Sequence, residues 1–258
     1  MKKHIQYLTA ALLCAGMMQA QAQFGPRGGM GGSSPAPNLS GAMEKLFGGN
    51  SAFSAVMEIQ TTNRSGREMT MSGKMAADNG KSRFEMDMTT MKGSEMPPNA
   101  VAQIKQMGMD KVVTITRPDQ KFTYMVYPGL NAYAETPIHD PQALKPESDF
   151  KMETTELGKE TVDGHECVKN KVVVTDKEGA KHESTVWNAT DLKKFPIKIE
   201  TTEQGNAMTM TFKDVKLDKP AASEFEPPSD YKKYDSVMAM MREEMMKRMG
   251  GMHGPPHP

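Results

Sequence analysis

Cysteine, tryptophan and branched aliphatic residues are all scarce in this chain of 258 residues, which holds two cysteines and one tryptophan. No stretch approaches the roughly 20 consecutive apolar residues that a membrane-spanning helix needs, so no transmembrane segment is expected. Neither sign of charge is in excess, with 32 Lys and Arg against 32 Asp and Glu. A near-neutral chain has no general electrostatic reason to bind nucleic acid, and none is expected as a partner.

Catalytic signatures are equally hard to find. Nucleophilic catalysis needs a nucleophile beside an oriented base, yet there is no G-x-S-x-G, and the one S-x-x-K match, Ser148 to Lys151, falls at a strand entry. Zinc hydrolysis calls for H-E-x-x-H or clustered Cys and His, whereas His139, His165 and His182 stand singly. The glycines from Gly28 to Gly32 neither follow a strand nor open a helix, so they do not read as a phosphate cradle. The expectation is a protein that is not an enzyme and has no cofactor.

The first residues supply a secretory signal. Met1-Lys2-Lys3-His4 precedes an apolar stretch from Ile5 to Met18, and Ala20-Gln21-Ala22 offers a cleavage site after Ala22. Cys14 follows Leu13 rather than a small residue, which argues against a lipid anchor. Loss of residues 1–22 removes Lys2 and Lys3, leaving 30 basic and 32 acidic residues and a net charge of −2. Export to the periplasm is the expected localisation. Cys167 is then the one remaining thiol, which has no internal disulfide partner and reads as a small buried apolar side chain.

Methionine is abundant. Of 26 in the chain, Met1, Met17 and Met18 lie in the signal, leaving 23 against seven leucines and six isoleucines in the remainder. Met takes the place of the branched aliphatics as the main large apolar residue.

Residues 23–37 are rich in Gly, Pro, Ser and Ala and read as a disordered leader. A short helix is expected from Ser40 to Phe47, stopped by Gly48-Gly49. The periodicity then becomes two, as it must when one sheet face is buried and the other meets solvent. Phe53, Ala55, Met57 and Ile59 fall on one side; a second strand sets Met69, Met71 and Met75 on a face with Gly73. Asp78-Asn79-Gly80 is a hairpin signal, after which Phe84, Met86 and Met88 share a face. Pro97-Pro98-Asn99 is expected to open a helix that runs through Ile104 to about Met107. Strands follow near 112–116, 122–127, 130–135, 149–157, 165–175, 181–188, 195–203 and 206–216, the last placing Met208, Met210 and Phe212 together. The outcome is mainly β (α+β): a curved antiparallel sheet of about eleven strands forming a half-barrel, with short helices plugging the concave face. The domain is expected to span residues 38–230. A C-terminal amphipathic helix is expected over 231–249, with Tyr231, Tyr234, Met238, Met241 and Met245 in its stripe, followed by a disordered Met/His/Pro tail at 250–258.

Particular motifs strengthen this reading. They are Met109-Asp110-Lys111-Val112-Val113 with Arg117-Pro118-Asp119, Val126-Tyr127-Pro128, Asn131-Ala132-Tyr133, the run from Gly158 to Cys167, Trp187-Asn188-Ala189-Thr190-Asp191-Leu192 with Phe195-Pro196-Ile197, and Phe225-Glu226-Pro227-Pro228 with Tyr231. Together they make residues 50–232 resemble the LolA/LolB-like periplasmic lipoprotein-carrier superfamily, in an uncharacterised branch of domains of unknown function. The resemblance implies a half-barrel whose concave face holds lipid acyl chains.

Three functional readings follow. In the first, Met57, Ile59, Met69, Met71, Met75, Phe84, Met86, Met88, Met208, Met210 and Phe212 line a site for an apolar ligand, lipid or lipoprotein acyl chains, because unbranched polarizable thioethers repack around chains of differing shape. The same residues equally describe an ordinary filled core. In the second, Met245, Met246, Met249, Met252, His253 and His257 bind copper(I), for which thioether and imidazole are suitable ligands. In the third, the C-terminal helix docks on an envelope protein partner through its apolar stripe.

Overall fold

The computed structural model describes residues 46, 47, 49–93, 98–138, 151–175, 179, 181–203 and 205–250. They build one twelve-stranded open sheet. Strands β1 (Ala52–Thr62), β2 (Glu68–Asp78), β3 (Lys81–Asp87), β4 (Lys111–Arg117), β5 (Phe122–Tyr127) and β6 (Ala132–Pro137) form one antiparallel meander. A second meander comprises β7 (Lys151–Val162), β8 (His165–Thr175), β9 (Lys181–Ala189), β10 (Pro196–Glu203) and β11 (Asn206–Lys216). β1 pairs with β11 and joins the two meanders into one continuous sheet, in which β6 and β7 are their far strands. The expected Asp78-Asn79-Gly80 hairpin is present, with Asn79 at φ 48° and Gly80 at φ 84°, the two positive angles a tight β-turn of this kind requires.

The burial patterns explain why the strands differ in sequence. β1 alternates because one face meets the core and the other is half-exposed. β4, by contrast, is buried at every residue after Lys111, since both of its faces are covered. On the outer face Ala76, Val113, Ile115, Tyr124 and Val126 lie beneath Phe225, with Phe122, Tyr133 and Tyr231 around them. On the inner face Val112, Tyr127 and Ala132 pack with Tyr234 and Met240.

The C-terminal stretch departs from the expected helix over 231–249. Lys232–Tyr234 is instead a twelfth strand, β12, parallel to β6, and the helix runs over Val237–Gly250. Helical spacing among Tyr231, Tyr234 and Met238 was overridden by the unpaired backbone of the β6 edge, which a short strand satisfies. Tyr231 therefore sits on the outer face and Tyr234 on the inner, so the chain passes around the sheet edge and holds it from both sides. Ser236, whose Oγ accepts from the Ala239 amide at 3.1 Å, starts the helix and is the signal the periodicity obscured. Met240, outside the expected stripe, anchors this helix at 0% exposure, while Met238 of that stripe faces solvent, as does Met246.

The other helix, α1 (Pro98–Gln106), matches its expected span, and the helix over Val237–Gly250 is α2. α1 meets the 3-10 turn Met88–Thr90 and ends on Gly108, at φ 69°. A Cβ on Gly108 would lie 2.6 Å from the Gly129 carbonyl oxygen, and one on Gly129 would lie 2.5 Å from that of Gly108, so neither position accommodates a side chain. Of the expected helix at 40–47, only Leu46 and Phe47 fall among the described residues; the leader, the signal and the tail after Gly250 lie outside them. No described helix is long and apolar enough to cross a membrane.

Candidate functional site: a methionine-lined inner wall

Residues directly opposite in an antiparallel pair share a face, so the register decides which side chains meet. Across β2, β1 and β11 the rows are Gly73, Met57 and Phe212; Met71, Ile59 and Met210; and Met69, Thr61 and Met208. β3 extends the rows, with Met86 opposite Gly73 and Phe84 opposite Met75. All of these point inward.

Ten of the eleven predicted lining residues belong to one apolar cluster. Met57, Ile59, Met75, Phe84, Met86, Met208, Met210 and Phe212 are its buried members, with Met71 and Met88 packed against it. Met69 shares the face but lies outside the cluster and is half-buried. The buried members are between 1% and 6% exposed, so in this conformation the wall is filled by its own side chains.

Sequence reasoning missed the far side of the wall. Val172 and Val174 of β8, Val186 of β9 and Ile199 of β10 belong to the same cluster, as do Phe47 and Phe195. Their alternation in the β8 and β9 segments was the available signal. That the second meander turns them toward Met57 follows only from the long-range pairing of β1 with β11. Ser82, Thr114, Thr116 and Thr201 are the buried Ser and Thr hydroxyls of the inner face among the described residues.

One close approach shapes the middle of the wall. A Cβ on Gly73 would lie 2.6 Å from the Phe84 ring and 2.6 Å from the Glu85 carbonyl oxygen, so the ring lies directly over the glycine. Gly73 thus leaves room for the edge of the Phe84 ring on the inner face of β2.

The outer face carries the polar contacts. Trp187 is buried with Cys167, Ala189 and Ile197; its Nε1 donates to Glu160 at 2.9 Å, and the ammonium groups of Lys169 and Lys198 stand 4.9 and 4.4 Å from its ring centre. The Trp187 hydrogen bond, then that from Lys169, holds the Glu160 carboxyl below its ordinary range. Nearby His165 Nδ1 meets Asp191 at 2.7 Å. Cys167 is 1% exposed, and burial pushes its thiol pKa up, the opposite of what a reactive cysteine needs. A cavity of about 690 Å³ also lies on this face beneath the Glu226-Pro227-Pro228 crossing, between Arg83, Val126 and Tyr231.

Among the described residues no three His, Cys, Asp or Glu side chains stand together as a metal site. For the copper reading, Met252, His253 and His257 lie outside the described residues; Met245 and Met249 fall within α2, and neighbouring Met246 is 61% exposed.

The family whose model matches the chain is described as a domain of unknown function, DUF4412, and the match spans residues 53–195. No curated protein matches. Among solved structures the chain is similar to LprF from Mycobacterium bovis at 12% identity, covering 74% of this chain and 96% of that one with a TM-score of 0.41. The Mycobacterium tuberculosis lipoprotein LppX is similar at 12% identity over 70% and 94% of the two chains, with a TM-score of 0.39. A LolA superfamily protein from Nitrosomonas europaea is similar at 10% identity over 72% and 96%, with a TM-score of 0.32.

Proposed function

From the premise that the chain belongs to the DUF4412 family, we propose that it is a non-enzymatic periplasmic binding or carrier protein for an apolar ligand, lipid or lipoprotein acyl chains, exported with residues 1–22 removed. The observation that supports this reading most is the gathering of Met57, Met71, Met75, Met86, Met88, Met208 and Met210 in one cluster on the inner wall of an open sheet. A filled core serves stability best with branched residues of fixed rotamer, whereas unbranched thioethers change shape at little cost and suit a wall that must repack. The wall is filled by its own apolar side chains, which pack against one another. Its strands belong to a sheet that ends in two separate edges, so widening it breaks no closed ring of hydrogen bonds.

The test is to purify the exported protein from its native compartment without detergent, record its mass under native conditions and titrate it with a fluorescent fatty acid. Co-purifying lipid and saturable probe binding are expected. A bare mass together with no binding would remove the carrier reading and leave the wall as an ordinary core.

A further inference from the structure

The wall has two unlike ends. At one, Phe47, Phe53, Phe195 and Phe212 form a quartet with ring centres 4.9 to 5.7 Å apart. All four are at most 1% exposed. This end is pinned from outside, since the Asn50 side chain donates to the Phe47 carbonyl at 2.7 Å and to the Lys193 carbonyl at 3.3 Å.

The other end is built differently. There β2 begins with Met69 and Met71, β3 gives way to the 3-10 turn that starts at Met88, and all three thioethers are half-buried. Asp87 caps that turn by accepting from the Thr89 amide at 2.9 Å, which ends β3; beyond it β2 is paired through the Thr70–Lys92 bridge, and Met71 and Met88 stand at the margin of the cluster. Exposure therefore rises along the inner face of β2, from Ala77 at 2% and Met75 at 3% to half-buried Met71 and Met69. Six residues of strand, at about 3.4 Å each, put about 20 Å between Met69 and Met75.

We infer that the wall has its entrance at the Met69, Met71 and Met88 end and its floor at the phenylalanine quartet, so that an acyl chain enters tail-first and leaves its polar head at the rim. The inference rests on the ligand reading of the wall and adds a direction to it. Aromatic rings in mutual contact give a stiff stop, whereas unbranched thioethers change rotamer readily.

Two fatty-acid probes decide it, one with its fluorophore near the carboxyl end and one near the methyl end, each bound to the wild-type protein and exposed to aqueous iodide. The methyl-end label should be quenched about tenfold less than the carboxyl-end label, as expected for a label removed from water. M71E and M88E should slow probe association about tenfold by placing a charge in an apolar entrance, and M71L and M88L should restore it. Equal or reversed protection, or unchanged association in both charged variants, overturns the direction while leaving the ligand reading intact. A wild-type protein that binds neither probe overturns both.

Discussion

Arg117 and Glu226 lie 109 residues apart in sequence and are joined by a direct ion pair between the β4 end and the segment that crosses the outer face. The same guanidinium donates to both Asp119 oxygens at 2.9 and 2.8 Å and to the Phe225 carbonyl at 3.2 Å. It is 7% exposed, and its fork engages four acceptor oxygens on three residues at once. Replacing Arg117 with Met should therefore destabilise the protein by about 2 kcal/mol, below the roughly 3–5 kcal/mol for breaking a fully buried pair because both carboxylates are about half-exposed. Urea denaturation measures this. A loss within error of zero would show that Phe225 holds the crossing without the latch.

Acid should loosen α2 before the sheet. Glu243 accepts from Lys232 of β12 at 2.7 Å and from Lys247 at 3.1 Å, and these bonds, Lys232 first, bring its carboxyl down to about 2. An unfolded glutamate titrates near about 4.3, so the folded value is the lower one. The contribution is complete above the unfolded value and disappears as pH falls toward the folded one. Amide exchange in α2 should accelerate between about pH 4.3 and 2 relative to β1, and E243Q should show fast exchange at neutral pH with little further change in acid.

Gly73 should be intolerant of even a methyl group. G73A forces the Phe84 ring away from a 2.6 Å contact and also meets the Glu85 carbonyl at 2.6 Å. Overpacking of this kind costs about 1–3 kcal/mol. Pairing G73A with F84L should recover only part of the loss, because the smaller side chain relieves the ring but not the backbone oxygen. Full recovery would mean that the carbonyl shifts freely.

Cys167 should resist alkylation in the folded protein. Its sulfur is buried with Trp187, Ala189 and Ile197, and burial raises its pKa, so at pH 8 both access and thiolate are lacking. Iodoacetamide should label it only after denaturant is added, as read by mass spectrometry. Rapid native labelling would contradict the packing around β8 and β9.

Much of this was legible in the sequence, for identifiable reasons. Alternation fixed the inward side of β1, β2, β3 and β11, and Asn79-Gly80 fixed a hairpin, because both signals are local. Partners distant in sequence were not legible: nothing near Phe53 announces Phe47 and Phe195 as its neighbours, and nothing in β1 specifies β11. The 231–249 helix failed where a long-range need, the open edge of β6, outweighed a local spacing. Arg117-Pro118-Asp119 and Phe225-Glu226 were visible as separate motifs, and only the folded chain shows them to be two halves of one latch.

The choice between a repacking wall and a fixed core turns on the thioethers. Met57, Met75, Met86 and Met210 are each at most 6% exposed, so replacing all four with Leu keeps hydrophobicity and nearly keeps volume. Such swaps usually cost less than about 1.5 kcal/mol per site, and the variant should remain folded. Leu is branched and has fewer rotatable bonds, so the altered wall should favour one arrangement. If the wall binds ligand by repacking, the variant should retain one fatty-acid probe of suitable shape and lose about tenfold or more in affinity for longer or kinked ones, a difference of about 1.4 kcal/mol. Titration of wild type and variant against a series of chain lengths separates the outcomes. A uniform change across the series would show that methionine supplies only area here, and that adaptability is not what this wall is built for.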